Sequence, residues 1–316
     1  MGMKNEAGND QSKAQSRPFS LWLYLLIVFG LSWPFQIVSA VWAKSILAAF
    51  LLNGASMVMV TVGTYLAGKY VFRDGFAGAG WQWGRWRSHL AVLGLAAILW
   101  IVPACIDLAS GTLKVPADLN KAKFGLVLLL PVLTLVPAFG EEFGWRGYML
   151  PRLARRFTAR KAVLFHGIIW WAWHIPLLAG AGSGIGAAVA HEAGMSAGAA
   201  QVLFAAIIIL VSTVPAILNG VVFAYIWTRS GSLAVVTLYH AAYDGFRDSL
   251  QICIGGGPIA GAAPHIIIIV LGIIFLWKGN WLPNQPDAAN PAIAPQFQPD
   301  DQRRGLSAPD IQPPLD

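Results

Sequence analysis

Eight stretches of this chain, residues 20–42, 46–67, 90–107, 124–150, 162–180, 201–227, 233–250 and 262–278, are apolar for long enough to cross a hydrocarbon layer about 30 Å thick. Inside lipid, a backbone can satisfy its N–H and C=O groups only in a helix or a closed barrel. The chain is therefore read as an all-α membrane protein, a polytopic bundle of about eight transmembrane helices. Composition agrees, with 56% hydrophobic and 12% charged residues and a mean hydropathy of +0.59. Soluble domains carry roughly 25% charged residues. The run at 20–42 is longer than the roughly 7–15 residues of a signal-peptide h-region, so it is kept as a helix. The run at 233–250 is the least regular, because it holds His240, Asp244, Arg247 and Asp248.

The pI of 9.6 would suggest nucleic acid in a soluble protein. Here the charge follows the membrane. With the N-terminus inside, 17 of the 22 Lys and Arg fall on inner segments, leaving Lys44, Lys114, Lys121, Lys123 and Arg247 outside. That bias places both termini in the cytosol and requires no nucleic-acid partner. The expected organisation is a disordered cytosolic arm (1–18), three helices (19–122), a helical core (123–250), a last helix (251–280) and a disordered Pro-rich cytosolic tail (281–316). The Gly- and Ala-rich stretch 181–200 reads as an outer loop. Cys105 and Cys253 are too few for a disulfide framework and read as small buried hydrophobes.

Three of the apolar runs carry polar groups where charge is expensive, which marks a functional centre. They are Glu141, Glu142 and Arg146 in the fourth run, His174 after Trp170 in the fifth, and His240 with Asp244 in the seventh. Pro151 should end the fourth helix at Leu150, which sets Glu141 roughly 14 Å from that end at 1.5 Å per residue. The same arithmetic puts His174 about 20 Å and His240 about 16 Å from their entry points. All three clusters thus lie at a similar depth.

Glu142 and Arg146 are i, i+4 with the acid first, the favourable order for an ion pair, and read as structural support. Glu141 points about 100° away around the helix and has no partner at i±4. It is the candidate general base. His174 precedes Pro176, which can open the helix. His240 and Asp244 share a face, so the acid can orient the ring. His166, His191 with Glu192, and His265 read as structural or loop residues. These ingredients suit water activation with or without a metal. Zinc would take Glu141, His174 and His240 with an open position for water. Without metal, Glu141 and His174 would hold and deprotonate the water while His240 and Asp244 stabilise the oxyanion. An ionised Asp244 would repel that oxyanion.

The pattern Glu-Glu-x-x-x-Arg, aromatic-x-x-x-His, His-x-x-x-Asp on successive helices resembles the CPBP family of intramembrane proteases. That family takes in CAAX prenyl proteases and bacterial relatives linked to bacteriocin processing and self-immunity. The resemblance spans about residues 124–248. By position, Glu141, Glu142 and Arg146 match the first motif, Trp170 and His174 the second, and His240 and Asp244 the third. Trp170 stands where the family usually has Phe, at a packing position. Asp244 stands where eukaryotic prenyl proteases have Asn. The resemblance implies an endopeptidase cutting a membrane-anchored or lipidated peptide near the cytosolic face of a bacterial plasma membrane. Its partners would be that peptide and the bilayer. The other classes are a non-catalytic scaffold or immunity protein of the same fold, and a transporter. Transport is disfavoured by the lack of an internal repeat or a matched pair of broken helices.

Overall fold

The computed structural model describes residues 17–278 apart from 118, 120 and 195, with the backbone alone for 121–123. The expected disordered arm and tail lie outside these residues, except for residues 17 and 18 of the arm. Apart from one bridge between Trp81 and Ser232, the regular structure described is helical. The helices are α1 (Leu21–Trp42), α2 (Ile46–Leu66), α3 (Trp86–Ala109), α4 (Lys121–Leu133), α5 (Leu135–Glu142), α6 (Leu150–Ala154), α7 (Ala159–Trp173), α8 (Ile175–Glu192), α9 (Ala197–Ser230), α10 (Leu233–Ile254) and α11 (Pro258–Lys278). Two π-helical stretches, Ala67–Val71 and Phe143–Met149, continue α2 and join α5 to α6.

Six helical spans are long and apolar enough to cross a membrane, and the bent α7–α8 pair makes a seventh. The helix α10 fills the place of the remaining expected run, but Asp244, Arg247 and Asp248 leave it less apolar than the others. The chain is an integral membrane protein. Its outward residues are those a lipid would meet: Trp22 and Trp277 are 81% exposed, and Leu128 and Leu210 are 74% exposed. Among the largest fully buried side chains, by contrast, are Trp145, Trp173, Tyr24 and Arg146.

Two prolines shape the centre of the bundle. Pro137 cannot donate to the carbonyl of Leu133, and the helix is interrupted at Thr134, between α4 and α5. Pro176 likewise cannot donate to Ala172, and the chain bends by 49° between α7 and α8. The helix α5 lies against α2 so closely that a Cβ on Gly140 would stand 2.7 Å from the Met57 carbonyl. Only glycine fits there, and Thr61 Oγ1 donates to the Gly140 carbonyl at 2.8 Å.

Several expectations need correction. Pro151 does not end the fourth helix, which continues to Ala154. The π-helical stretch changes the hydrogen-bond register ahead of it, so Pro151 falls in the first turn of α6, where its missing N–H costs little. Much of the expected outer loop is helix α8, because a chain among neighbouring helices in lipid gains more from internal backbone hydrogen bonds than glycine loses in entropy. Of the two cysteines expected to be buried, Cys253 is buried and Cys105 is exposed.

Candidate active site

The three polar clusters meet. Glu142 Oε1 accepts from Arg146 Nη1 at 2.9 Å and from His240 Nδ1 at 2.7 Å. The sequence suggests the first contact and does not suggest the second. Glu142 and Arg146 are fully buried, and the Arg146 guanidinium lies beside two aromatic rings, 4.6 Å from the Trp170 centroid and 4.4 Å from that of Phe223. The carboxylate and the two rings lower the cost of burying this cation. Phe223, on α9, also meets the His240 ring at 5.0 Å. No motif spacing in the sequence marks it.

Glu141 makes a different contact. It is buried, and its Oε2 accepts the indole N–H of Trp170 at 2.8 Å. Trp170 is therefore more than a packing residue, since a phenylalanine there would have no hydrogen to donate. The neighbouring acids thus occupy unlike surroundings, one tied to a guanidinium and an imidazole, the other to a neutral indole.

His174 sits at the α7–α8 hinge. Its backbone N–H turns to the Trp171 carbonyl at 3.0 Å, releasing the Trp170 carbonyl from its usual helical partner. The His174 ring takes that carbonyl at 2.7 Å through Nδ1. A carbonyl only accepts, so Nδ1 carries the proton and a neutral ring presents Nε2 as an acceptor.

His240 Nε2 lies 3.3 Å from Asp244 Oδ2, and Asp244 Oδ1 receives Arg247 Nη1 at 2.8 Å. Arg247 was not singled out in the sequence, although its i, i+3 spacing from Asp244 is visible there. Side-chain exposure rises along this face from 3% at His240 through 18% at Asp244 to 43% at Arg247. The open edge of the site therefore points away from the α10 N-terminus.

Residues 123–246 match the family described as type II CAAX prenyl endopeptidase Rce1-like. A 46-residue stretch is 46% identical to CAAX prenyl protease 2 of Methanococcus maripaludis. The family match covers less than half of the chain. All seven motif residues named from the sequence fall inside it. The stretch shared with the Methanococcus protein covers 15% of this chain and 17% of that relative.

The zinc set considered from the sequence fits this site poorly as arranged. His240 faces carboxylates with both ring nitrogens, and carboxylates accept only, so neither nitrogen offers a lone pair to a metal. Among the described residues, no group of three or more His, Cys, Asp or Glu has a metal-holding arrangement. No step below passes through a metal.

Proposed function

We propose that this chain is an intramembrane endopeptidase that hydrolyses a peptide bond of a membrane-associated or lipidated peptide with water activated by Glu141. The observation that carries this reading is the division of labour between adjacent acids. Glu142 is held by Arg146 and His240, while among the described residues Glu141 has only the Trp170 indole as a hydrogen-bond partner. Two carboxylates in contrasting environments are the usual arrangement for separating a structural from a proton-transferring role.

In this scheme, water sits between Glu141 and His174 Nε2. Glu141 takes its proton, and the hydroxide oxygen bonds to the scissile carbonyl carbon. The resulting oxyanion faces the His240 Nε2–H, moving the loosely held Asp244 aside. As the C–N bond breaks, the proton on Glu141 passes to the leaving amine. The open edge along Asp244 and Arg247 admits the substrate, so entry is from the side away from the α10 N-terminus and not from the cytosolic face that the resemblance implies. Arg247 pairs with Asp244 as well as with Asp248, and this ion pair supports placing an acid where the prenyl proteases have Asn. Both termini are read as cytosolic from the charge bias, and a bacterial plasma membrane follows from the resemblance alone.

The test uses the full chain in proteoliposomes with a panel of farnesylated and unmodified peptides, read by mass spectrometry. We expect discrete cleavage products that persist in the presence of a chelator. Loss of cleavage with chelator, restored by zinc, would replace this mechanism with a metal-dependent one. No cleavage of any peptide, with a cellular phenotype retained by Glu141→Gln, would favour a non-catalytic protein.

A further inference from the structure

A second charged assembly lies outside the Glu141 centre. A cavity of about 270 Å³ is lined by Arg17, Phe19, Asp74, Arg152, Arg155 and Arg156. Three separate segments build it: the residues entering α1, the turn after the π-helical stretch Ala67–Val71, and the turn after α6. In the second of these, Arg73 has φ 55°, the only positive φ at a non-glycine among the described residues. Such a conformation is costly away from glycine and persists where surrounding structure enforces it. It directs Asp74 to Arg152 Nε at 2.8 Å and to the Tyr148 hydroxyl at 2.9 Å.

The guanidinium of Arg156 is held by the Phe19 carbonyl, and that of Arg152 stacks 3.3 Å from the Tyr148 centroid. Four guanidinium groups thus share a small cleft with one carboxylate, and two of the four are fixed in place. Fixed guanidinium groups suit a phosphate, whose oxygens accept paired N–H bonds. The level of the cleft identifies the source of that phosphate. Exposed Trp22 in the first turn of α1 and Trp277 at the end of α11 belong to the same end of the bundle, where Arg160 binds the carbonyls of Leu276 and Trp277. Exposed tryptophans of this kind sit at lipid headgroups.

We infer that the arginine cleft binds the phosphodiester headgroup of an anionic phospholipid. Basic pockets beside transmembrane helices recognise such headgroups, with each cation adding to the affinity. The site would anchor the α1 entry, the α2 turn and the α6 turn to one lipid.

The test is native mass spectrometry of the detergent-purified full chain titrated with phosphatidylglycerol, phosphatidylcholine or inorganic phosphate. We expect one phosphatidylglycerol to be retained at a concentration roughly tenfold or more below that needed for phosphatidylcholine. Millimolar phosphate should not displace it. The side chains of Arg17 and Arg155 hold neither Asp74 nor Phe19, so R17Q/R155Q should keep the fold and weaken phosphatidylglycerol about tenfold or more. Equal retention of the two lipids, or an R17Q/R155Q protein that binds phosphatidylglycerol like wild type, would overturn the proposal. Displacement by inorganic phosphate would assign the cleft to a soluble phosphate instead. Should the double variant fail to fold, the wild-type lipid comparison and R155Q alone still decide.

Discussion

The indole of Trp170 donates its only hydrogen to Glu141 at 2.8 Å, and this bond joins the α7 motif to the α5 motif. The same residue supplies the carbonyl that fixes the His174 ring. Trp170 is thus a positioning residue for both groups assigned to the water, one through its side chain and the other through its backbone.

Trp170→Phe separates these functions, because it keeps an aromatic ring and the backbone carbonyl while deleting the donor. We expect kcat to fall about 10- to 100-fold with KM little changed, the signature of a lost orienting hydrogen bond. A purely packing role would instead lower thermal stability and leave kcat in the folded fraction intact. Steady-state kinetics in proteoliposomes, paired with a melting curve, distinguish the two.

The adjacent glutamates should respond differently to the same change. Glu142→Gln removes the charge that balances buried Arg146, and stranding such a cation costs about 3–5 kcal/mol. Its melting temperature should fall sharply. Glu141→Gln removes no ion pair and should melt close to wild type. Thermal unfolding of both variants in detergent checks the contrast, and equal destabilisation would contradict the assigned roles.

Much of this arrangement was legible beforehand. The apolar runs are dictated by the bilayer, so most helices appear where the sequence places them, α8 being the exception, and the clusters around Glu141, His174 and His240 are in contact. The Glu142–Arg146 pair follows from i, i+4 spacing alone. The contacts that were not legible run between helices. His240 reaches Glu142 across 98 positions of sequence, and Trp170 reaches Glu141 across 29. Pattern within one helix carries no information about rotation of its neighbour. Buried Asp107 is a similar case, since it accepts the backbone N–H groups of Ile259 and Ala260 and caps α11 from the end of α3.

Asp244 and Arg247 should behave as a unit. Arg247→Leu leaves an unbalanced carboxylate beside the developing oxyanion and should lower kcat/KM about 10- to 100-fold. Asp244→Asn combined with Arg247→Leu removes that carboxylate and should recover most of that loss. Strictly additive losses in the double-variant cycle would show that the pair is not coupled.

Orientation can be read by labelling. In a Cys105→Ser, Cys253→Ser background, a cysteine at exposed Arg155 should react from the cytosolic side. One at Asp248, 44% exposed on the open edge, should react from the opposite side. Labelling of both positions from one side in intact cells would contradict either the charge-based orientation or the reading of which edge is open.

The most direct measurement is hydrolysis of a cleaved peptide by Glu141→Gln whose melting temperature and membrane insertion match wild type. We expect turnover to fall by about three orders of magnitude, the scale of losing a general base. Turnover within a few-fold of wild type in that folded protein would contradict water activation by Glu141.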